Sequence, residues 1–338
     1  MPNFALSRLE RLYTQVESTF GTIPNSTGTA TVAASNACRL IKFDVANKAA
    51  LIERPDKTGT RSKMVGVLGR KHATWSAEMS LAPNGVAGVV PDCDPLLQAI
   101  FGQASTIVAD TSCTYSLVDA IKSLSMWSFR QPSTIDQRVI HGAVAQEMTI
   151  EAGADVAMIK FNGEGIWALE KNQFSVADVT QKGGLTAFPS EPGSPVTNGG
   201  MIVGFTGSIV VDGHTLVTLR TATVKVTTGN VTVKDTFGTY YPDSPEGDER
   251  NVSIDMSIYE DDSDGYADLM AISNDKTPVT ITLTLGTVAG SICTVTLGSV
   301  QLQSPDHEEQ RRYITNWSGS TAHGSTLALR DELSIAFT

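Results

Sequence analysis

The sequence predicts a mainly β protein, built from two tandem β-sandwich or barrel units, each with one short flanking helix, behind an N-terminal arm. Three observations lead there. First, TWSAEMSL at residues 74–81 alternates, with Trp75, Ala77, Met79 and Leu81 on one face and Thr74, Ser76, Glu78 and Ser80 on the other, which is the period of a half-buried strand. Second, the phrase returns 177 residues later as NVSIDMSI at residues 251–258, keeping Ser, Met and Ser and exchanging Glu for Asp and Leu for Ile. Third, charged residues are only 18%, below the usual quarter or so, while Thr, Ser, Val and Gly are plentiful, which favours strands and turns over helical bundles.

Taken in order, Leu6, Leu9, Leu12 and Val16 recur at helical steps with Arg8, Glu10 and Arg11 opposite, so a helix is expected before Gly21 and Pro24. Residues 25–36 are small and polar and read as an extended arm. Strands are expected at 39–45 and 49–54, with a turn at Ala46, Asn47 and Lys48. A long basic loop without period fills 54–69; loops of that length are usually functional or ordered by a partner. After TWSAEMSL, Asp94 and Pro95 read as an N-cap and first helical position for a helix over 94–101, stopped by Gly102. Strands follow at 124–130, 139–151 and 157–169, and then a Gly- and Pro-rich stretch without pattern, 170–198.

The second half repeats this order. Strands at 219–227 and 230–234 match the pair at 39–54, the loop 235–248 matches 54–69, and NVSIDMSI matches TWSAEMSL. A helix at 264–272 and strands at 279–285, 293–303 and 311–320 then match their counterparts, and 332–338 alternates as a closing strand. The boundaries that follow are 1–36 for the N-terminal helix and arm, 37–185 for the first unit, 186–218 for a connector and 219–338 for the second unit. Two similar units in one chain can occupy equivalent places in a symmetric assembly.

Composition narrows the function. The 338 residues suffice for two cores. The net charge is −11, and beyond short pieces such as Arg70, Lys71 and His72 there is no basic patch of the kind that grips nucleic acid. Cys38, Cys93, Cys113 and Cys293 have neither CxxC spacing nor a nearby His, so reduced, buried thiols are expected. No apolar run approaches a membrane span, and the N-terminal residues lack a signal-type apolar core, so a chain made and kept in the cytoplasm is expected.

Catalytic motifs are missing: there is no P-loop, no GxGxxG after a strand, no GxSxG and no HExxH. The five histidines are scattered without ligand spacing. EDDSDG at 260–265 places acids at positions one, three and five of a calcium loop, but Ala271 stands where a bidentate Glu is required. It reads instead as a strand-to-helix turn with acids at the helix start. No enzyme activity, metal or cofactor is expected. Polar faces stand out more: Glu147, Thr149 and Glu151 oppose Met148 and Ile150, and Ser299, Gln301 and Gln303 oppose Val300 and Leu302. Such a sheet packs a core on one side and meets water or a wet cavity on the other.

Several phrases together resemble a known family. TQVESTFGTIP at 14–24, RPDKTGTRSKMVGVLGRKHATWSAEMSL at 54–81, PDCDPLLQAIFG at 91–102, PVTITLTLG at 278–286 and the terminal GSTLALRDELSIAFT are similar to the major tail (tail tube) proteins of long-tailed, siphovirus-type bacteriophages. The resemblance implies a virion structural protein of tail-tube fold. Its inner sheets would join across subunits around a channel, and its rings would stack through long loops and terminal arms into a tube through which double-stranded DNA passes. It also implies tape measure, tail terminator and baseplate proteins as partners. With two units per chain, the ring would be a homotrimer with pseudo-sixfold symmetry; without the repeat, a hexamer. Alternatives are another tube-fold ring protein (tail completion, baseplate or secretion-type tube) or an adhesive β-sandwich module.

Within that reading, Glu78, Glu147, Glu151 and Asp255 are candidates for a lumen whose carboxylates repel DNA phosphates, the competing reading being that some of these faces point outward. Arg54, Lys57, Arg61, Lys63 and Arg70 are candidates for inter-ring or inter-subunit contact. The matching loop carries Asp235, Asp243 and Glu246, and the opposite signs suggest that the two loops meet.

Overall fold

The computed structural model describes residues 7–24, 32–57, 59–130, 136–153, 155–174, 184–192, 200–216, 218–326 and 329–338, and strands dominate it. The first half holds β1 (Arg11–Val16), β2 (Ala37–Cys38), β3 (Lys42–Ile52), β4 (Val67–Ser80), β5 (Thr106–Val108), β6 (Ser112–Ser116), β7 (Ser123–Arg130), β8 (Asp136–Ala152), β9 (Met158–Gly165) and β10 (Trp167–Glu170). The second half holds β11 (Ser208–Val211), β12 (His214–Leu216), β13 (Leu219–Thr227), β14 (Val231–Thr232), β15 (Pro245–Glu246), β16 (Asn251–Tyr259), β17 (Val279–Leu285), β18 (Cys293–Gln301), β19 (Asp306–Glu309), β20 (Tyr313–Ala322) and β21 (Leu333–Phe337). Helix α1 (Asp94–Phe101) follows β4, and α2 (Asp264–Asp275) follows β16.

The pairings run in parallel through the two halves. β1 pairs with β2 and β7, as β11 pairs with β12 and β17. β7 pairs with β8 and β8 with β10, as β17 pairs with β18 and β18 with β21. β3 pairs with β4 and β4 with β9, as β13 pairs with β16 and β16 with β20. The seventeen-residue β8 serves two layers: residues 136–144 pair with β7, and 144–151 pair with β9 after a register shift between Ala145 and Glu147. β18 does the same on a smaller scale, pairing through 293–297 with β21 and through Val300 and Gln301 with β20. Gly163 makes the first crossing fit, because a Cβ there would come within 2.0 Å of the Val144 carbonyl oxygen and 3.0 Å of the Trp75 ring.

Alternation dictates the core. Trp75, Ala77 and Met79 of β4, Met148 and Ile150 of β8, Val224 and Val226 of β13 and Ile254 and Met256 of β16 all turn into one buried cluster that spans both halves. A smaller cluster holds Tyr13, Trp127, Phe129 and Val139. Between them, just past β1, Glu17 is buried. It accepts hydrogen bonds from Ser123 Oγ at 2.7 Å, Ser125 Oγ at 2.6 Å and the backbone N–H groups of Gly21 and Gly142, each at 2.8 Å.

The expected N-terminal helix is corrected. A 3₁₀ turn covers Ser7–Leu9 and a strand covers Arg11–Val16. Leu12 enters the large cluster and Tyr13 the small one, so consecutive residues are buried on opposite faces, as only a strand allows. Residues 1–6 and 25–31 of the expected helix and arm lie outside the described residues. The two strands expected over 39–54 are one, β3, bulged between Ala49 and Leu51. The stretch 157–169 is two strands broken at Ile166. The region 186–218, read as a connector, contributes the hairpin of β11 and β12, and β6 pairs with β21 and carries β5 on its other edge.

Candidate functional site

The halves meet in one sheet. The C-terminal part of β8 is flanked by β9 on one side and by β13 on the other, with Glu147 opposite Thr227 and Glu151 opposite Thr223. Strands β3, β4, β9, β8, β13, β16, β20 and β19 therefore run side by side, all antiparallel. Among the described residues this sheet ends at β3, which pairs with β4, and at β19, which pairs with β20. Unpaired strand edges recruit further strands. Both edges are exposed, with Asp306, His307, Glu308 and Glu309 along β19 and all residues but Phe43 and Val45 exposed along β3.

One face of the sheet packs on the core, and the other is polar. Its registers form rows. One row runs Lys42, Glu78, Lys160, Thr149, Lys225, Ser253, Thr321 and Gln301. A neighbouring row runs Asp44, Ser76, Asn162, Glu147, Thr227 and Asn251, and one on the other side runs Ser80, Met158, Glu151, Thr223 and Asp255. The four lumen candidates, Glu78, Glu147, Glu151 and Asp255, thus share one face of one continuous sheet.

Three lysines that the sequence reading did not include stand among them. Lys160 Nζ lies 2.7 Å from Glu151 Oε1 and 3.8 Å from Glu78 Oε1. Lys225 Nζ lies 2.7 Å from Glu147, and Lys42 Nζ 2.6 Å from Asp44. The hydrogen bond to Glu151 holds the Lys160 ammonium above its ordinary range, and that to Asp44 does the same for Lys42. Asp255 accepts the Gly319 N–H at 2.5 Å. Five carboxylates against three lysines leave these rows mildly negative, with each cation beside a carboxylate. Such a face has no lysine to spare for gripping phosphate through counterion release. The lysines were legible in principle: in MIKFNGEG, Lys160 sits between the apolar Ile159 and Phe161 and so opposite them.

The loop candidates separate. Arg54 pairs with Asp56 at 2.6 Å and Lys63 with Glu53 at 3.5 Å, both inside the 53–66 loop. Lys57 and Arg61 line the same loop, around a cavity bounded also by Leu51 and Met64. Arg70 reaches the other loop, donating to the carbonyl oxygens of Lys234 and Asp235. The Lys71 N–H donates to Tyr240 O at 2.7 Å. So within one chain the 235–248 loop is held against the start of β4 by Arg70 and Lys71, through backbone acceptors and not through its carboxylates. Asp243 accepts from its neighbour Ser244, and Glu246 lies in the short ladder of β14 and β15.

The acid turn at 260–265 has its own partners. Asp261 accepts from Ser263 N and Oγ, and Ser263 caps α2. No group of three metal-ligating side chains occurs among the described residues. Cys38, Cys93, Cys113 and Cys293 are buried free thiols, and burial pushes Cys38 and Cys293 up to about 12. No described helix is long and apolar enough to cross a membrane.

A family model described as phage tail tube protein matches residues 8–326. No curated protein matches the chain.

Proposed function

The chain belongs to the phage tail tube protein family, and from that premise we propose that three copies close the eight-stranded sheet into a ring, that rings stack into the tail tube, and that the polar face lines the channel for DNA. The coarser role, a structural protein that self-assembles into the tube of the virion tail, comes with the family. The finer reading treats residues 37–185 and 219–338 as two tube-type units.

The observation that carries the ring is the seam between β8 and β13. β13 is to β16 what β3 is to β4: Val224 faces Ile254 in NVSIDMSI, and Phe43 faces Ala77 in TWSAEMSL. The inner edge of the first unit receives β13 of the same chain. The matching edge of the second unit, β19, would receive β3 of the next chain in the same way. Charges favour that pairing, since β19 carries Asp306, Glu308 and Glu309, while β3 carries Lys48 beside the self-paired Lys42 and Asp44. Closing the sheet removes both exposed edges.

Stacking is assigned to the end of the β3–β4 hairpin. Leu51, Ile52, Met64, Val65, Val67 and Leu68 are all exposed there, an apolar cluster of the kind that marks an interaction site. Arg54, Lys57, Arg61 and Lys63 surround it. Tape measure, terminator and baseplate proteins would meet the tube at its lumen and its two ends. Negative-stain microscopy of the purified chain tests the reading. Hollow tubes or ring stacks are expected; monomers would overturn it, and single rings alone would reassign the chain to a non-polymerising ring of the tail.

A further inference from the structure

The hairpin of β13 and β16 carries an unusual pair of features at its two ends. At the turn end, Phe237 is fully exposed, at 101%. Its loop is nevertheless well held. Arg70 clamps the carbonyls of Lys234 and Asp235. The Lys71 ammonium lies 5.5 Å from the ring centroids of both Trp167 and Tyr241, which themselves pack edge to face at 5.6 Å. Thr239 Oγ1 donates to Thr236 O at 3.2 Å across the turn, and Gly238, at φ 89°, allows the chain to reverse immediately after the ring. A phenyl group is thus presented to solvent on a pre-organised support, which lowers the ordering cost of binding.

At the open end, where β13 begins and β16 finishes, lies a cavity of about 350 Å³ lined by Leu216, Leu219, Leu283, Leu285 and Tyr259. An apolar cavity of roughly 150 Å³ suffices to hold benzene. Arg220 is the one charged residue among its described lining residues, and the Arg312 guanidinium stacks 5.6 Å from the Tyr259 ring. The nearby acids are engaged: Glu260 accepts from His307 at 2.7 Å, and Asp261 from Thr218 and Ser263. The Phe237 loop has the opposite character. From residue 235 to 249 it carries Asp235, Asp243, Glu246, Asp248 and Glu249 and no Lys or Arg.

We propose that Phe237 of one copy seats in this cavity of a copy in the adjacent ring, with the acidic loop set against Arg220 and Arg312. The contact deepens the stacking reading above and rests on it. Knob and hole are different surfaces at opposite ends of one hairpin, so the contact is heterologous and open-ended, as polymer growth requires. It also gives the tube a direction, because every copy offers the ring at one end and the cavity at the other.

The test is a cross-link. Tubes of a Phe237→Cys, Arg220→Cys double variant are treated with a short bis-maleimide and run on a denaturing gel. The native thiols are buried and stay silent. A ladder extending well beyond three chains is expected, and neither single variant should give one. Tubes that give no ladder, or one that stops at three chains, would overturn the contact. Unmodified tubes supply the second measurement: Phe237→Ala should raise the concentration needed for tube growth at least about tenfold and Phe237→Leu by less, whereas unchanged growth of Phe237→Ala would also overturn it. Failure of the unmodified chain to form tubes would sink the stacking reading itself, an outcome distinct from tubes without a ladder.

Discussion

Lys225 Nζ lies 2.7 Å from Glu147 across the seam where the first half of the chain hands its sheet to the second. The pair bridges β13 and β8 diagonally, on the polar face, in the row next to Thr149 and Thr227. It is the local form of a general feature of this face: each lysine is set beside a carboxylate, so that the face stays mildly negative without offering an unpaired cation.

Reversing that charge tests the face as a channel lining. Glu147→Lys puts two lysines together and removes the excess of negative charge from these rows. Both side chains are partly solvated, so the stability cost should stay within about 1 kcal/mol, and tubes should form. DNA release from particles carrying the variant, followed with a DNA-binding dye, should slow. Release at the normal rate would count against the polar face as channel lining.

Glu17 gives a pH signature. Burial, the largest influence, holds its carboxyl above the ordinary 4.5 in spite of four donated hydrogen bonds. A group whose pKa is raised in the folded state binds its proton more tightly there than in the unfolded chain. Its contribution is therefore whole below the unfolded value and is lost as pH rises through the folded one. Glu17→Gln does not titrate. The melting-temperature advantage of the natural chain over this variant should shrink from about pH 4 to about pH 7. An advantage that grows over that range would mean that the four donors outweigh burial.

Gly163 tests the layer crossing of β8. Alanine there would set a Cβ against the Val144 carbonyl oxygen and the Trp75 ring. Neither can retreat without opening the pairing of β8 with β9, so a loss of roughly 2–4 kcal/mol is expected, read as a fall of about 3–6 °C in melting temperature. An unchanged melt would show that the crossing tolerates a shift.

Deleting residues 57–66 tests stacking. The loop pairs its own charges, Arg54 with Asp56 and Lys63 with Glu53, and none of its described residues belongs to the buried clusters. The shortened chain should fold and form soluble rings that do not lengthen. Full-length tubes would remove the loop from the interface.

What the sequence made legible follows from which signals are local. Strict alternation in TWSAEMSL and NVSIDMSI placed Glu78 and Asp255 opposite the core-facing Met79 and Met256 without any knowledge of neighbours. Val279–Leu285 and Asp94–Phe101 lie where the sequence places them, but the cap is not Asp94: Cys93 holds the N-cap position without a side-chain bond, and the Asp94 carboxylate accepts instead from Gln98 Nε2 and Tyr115 OH. Register is not local. Nothing in LRTATVKVT says that Lys225 will meet Glu147, because their strands are brought together by a contact more than seventy residues long. The N-terminal error has the same origin: Leu9, Leu12 and Val16 fit a helical period, but β7 and both apolar clusters claim Leu12 and Tyr13 from opposite sides. The hairpin of β5 and β6 is short and pairs with β21, more than two hundred residues away, so its local sequence carries little of its reason for being there.

The ring is tested most directly by its symmetry. Cryo-electron microscopy of assembled tubes should show three chains per ring, related by a true threefold and an approximate sixfold axis, with β19 of each chain hydrogen-bonded to β3 of the next as β8 is to β13. Six chains per ring, or β3 and β19 left facing solvent, would contradict it.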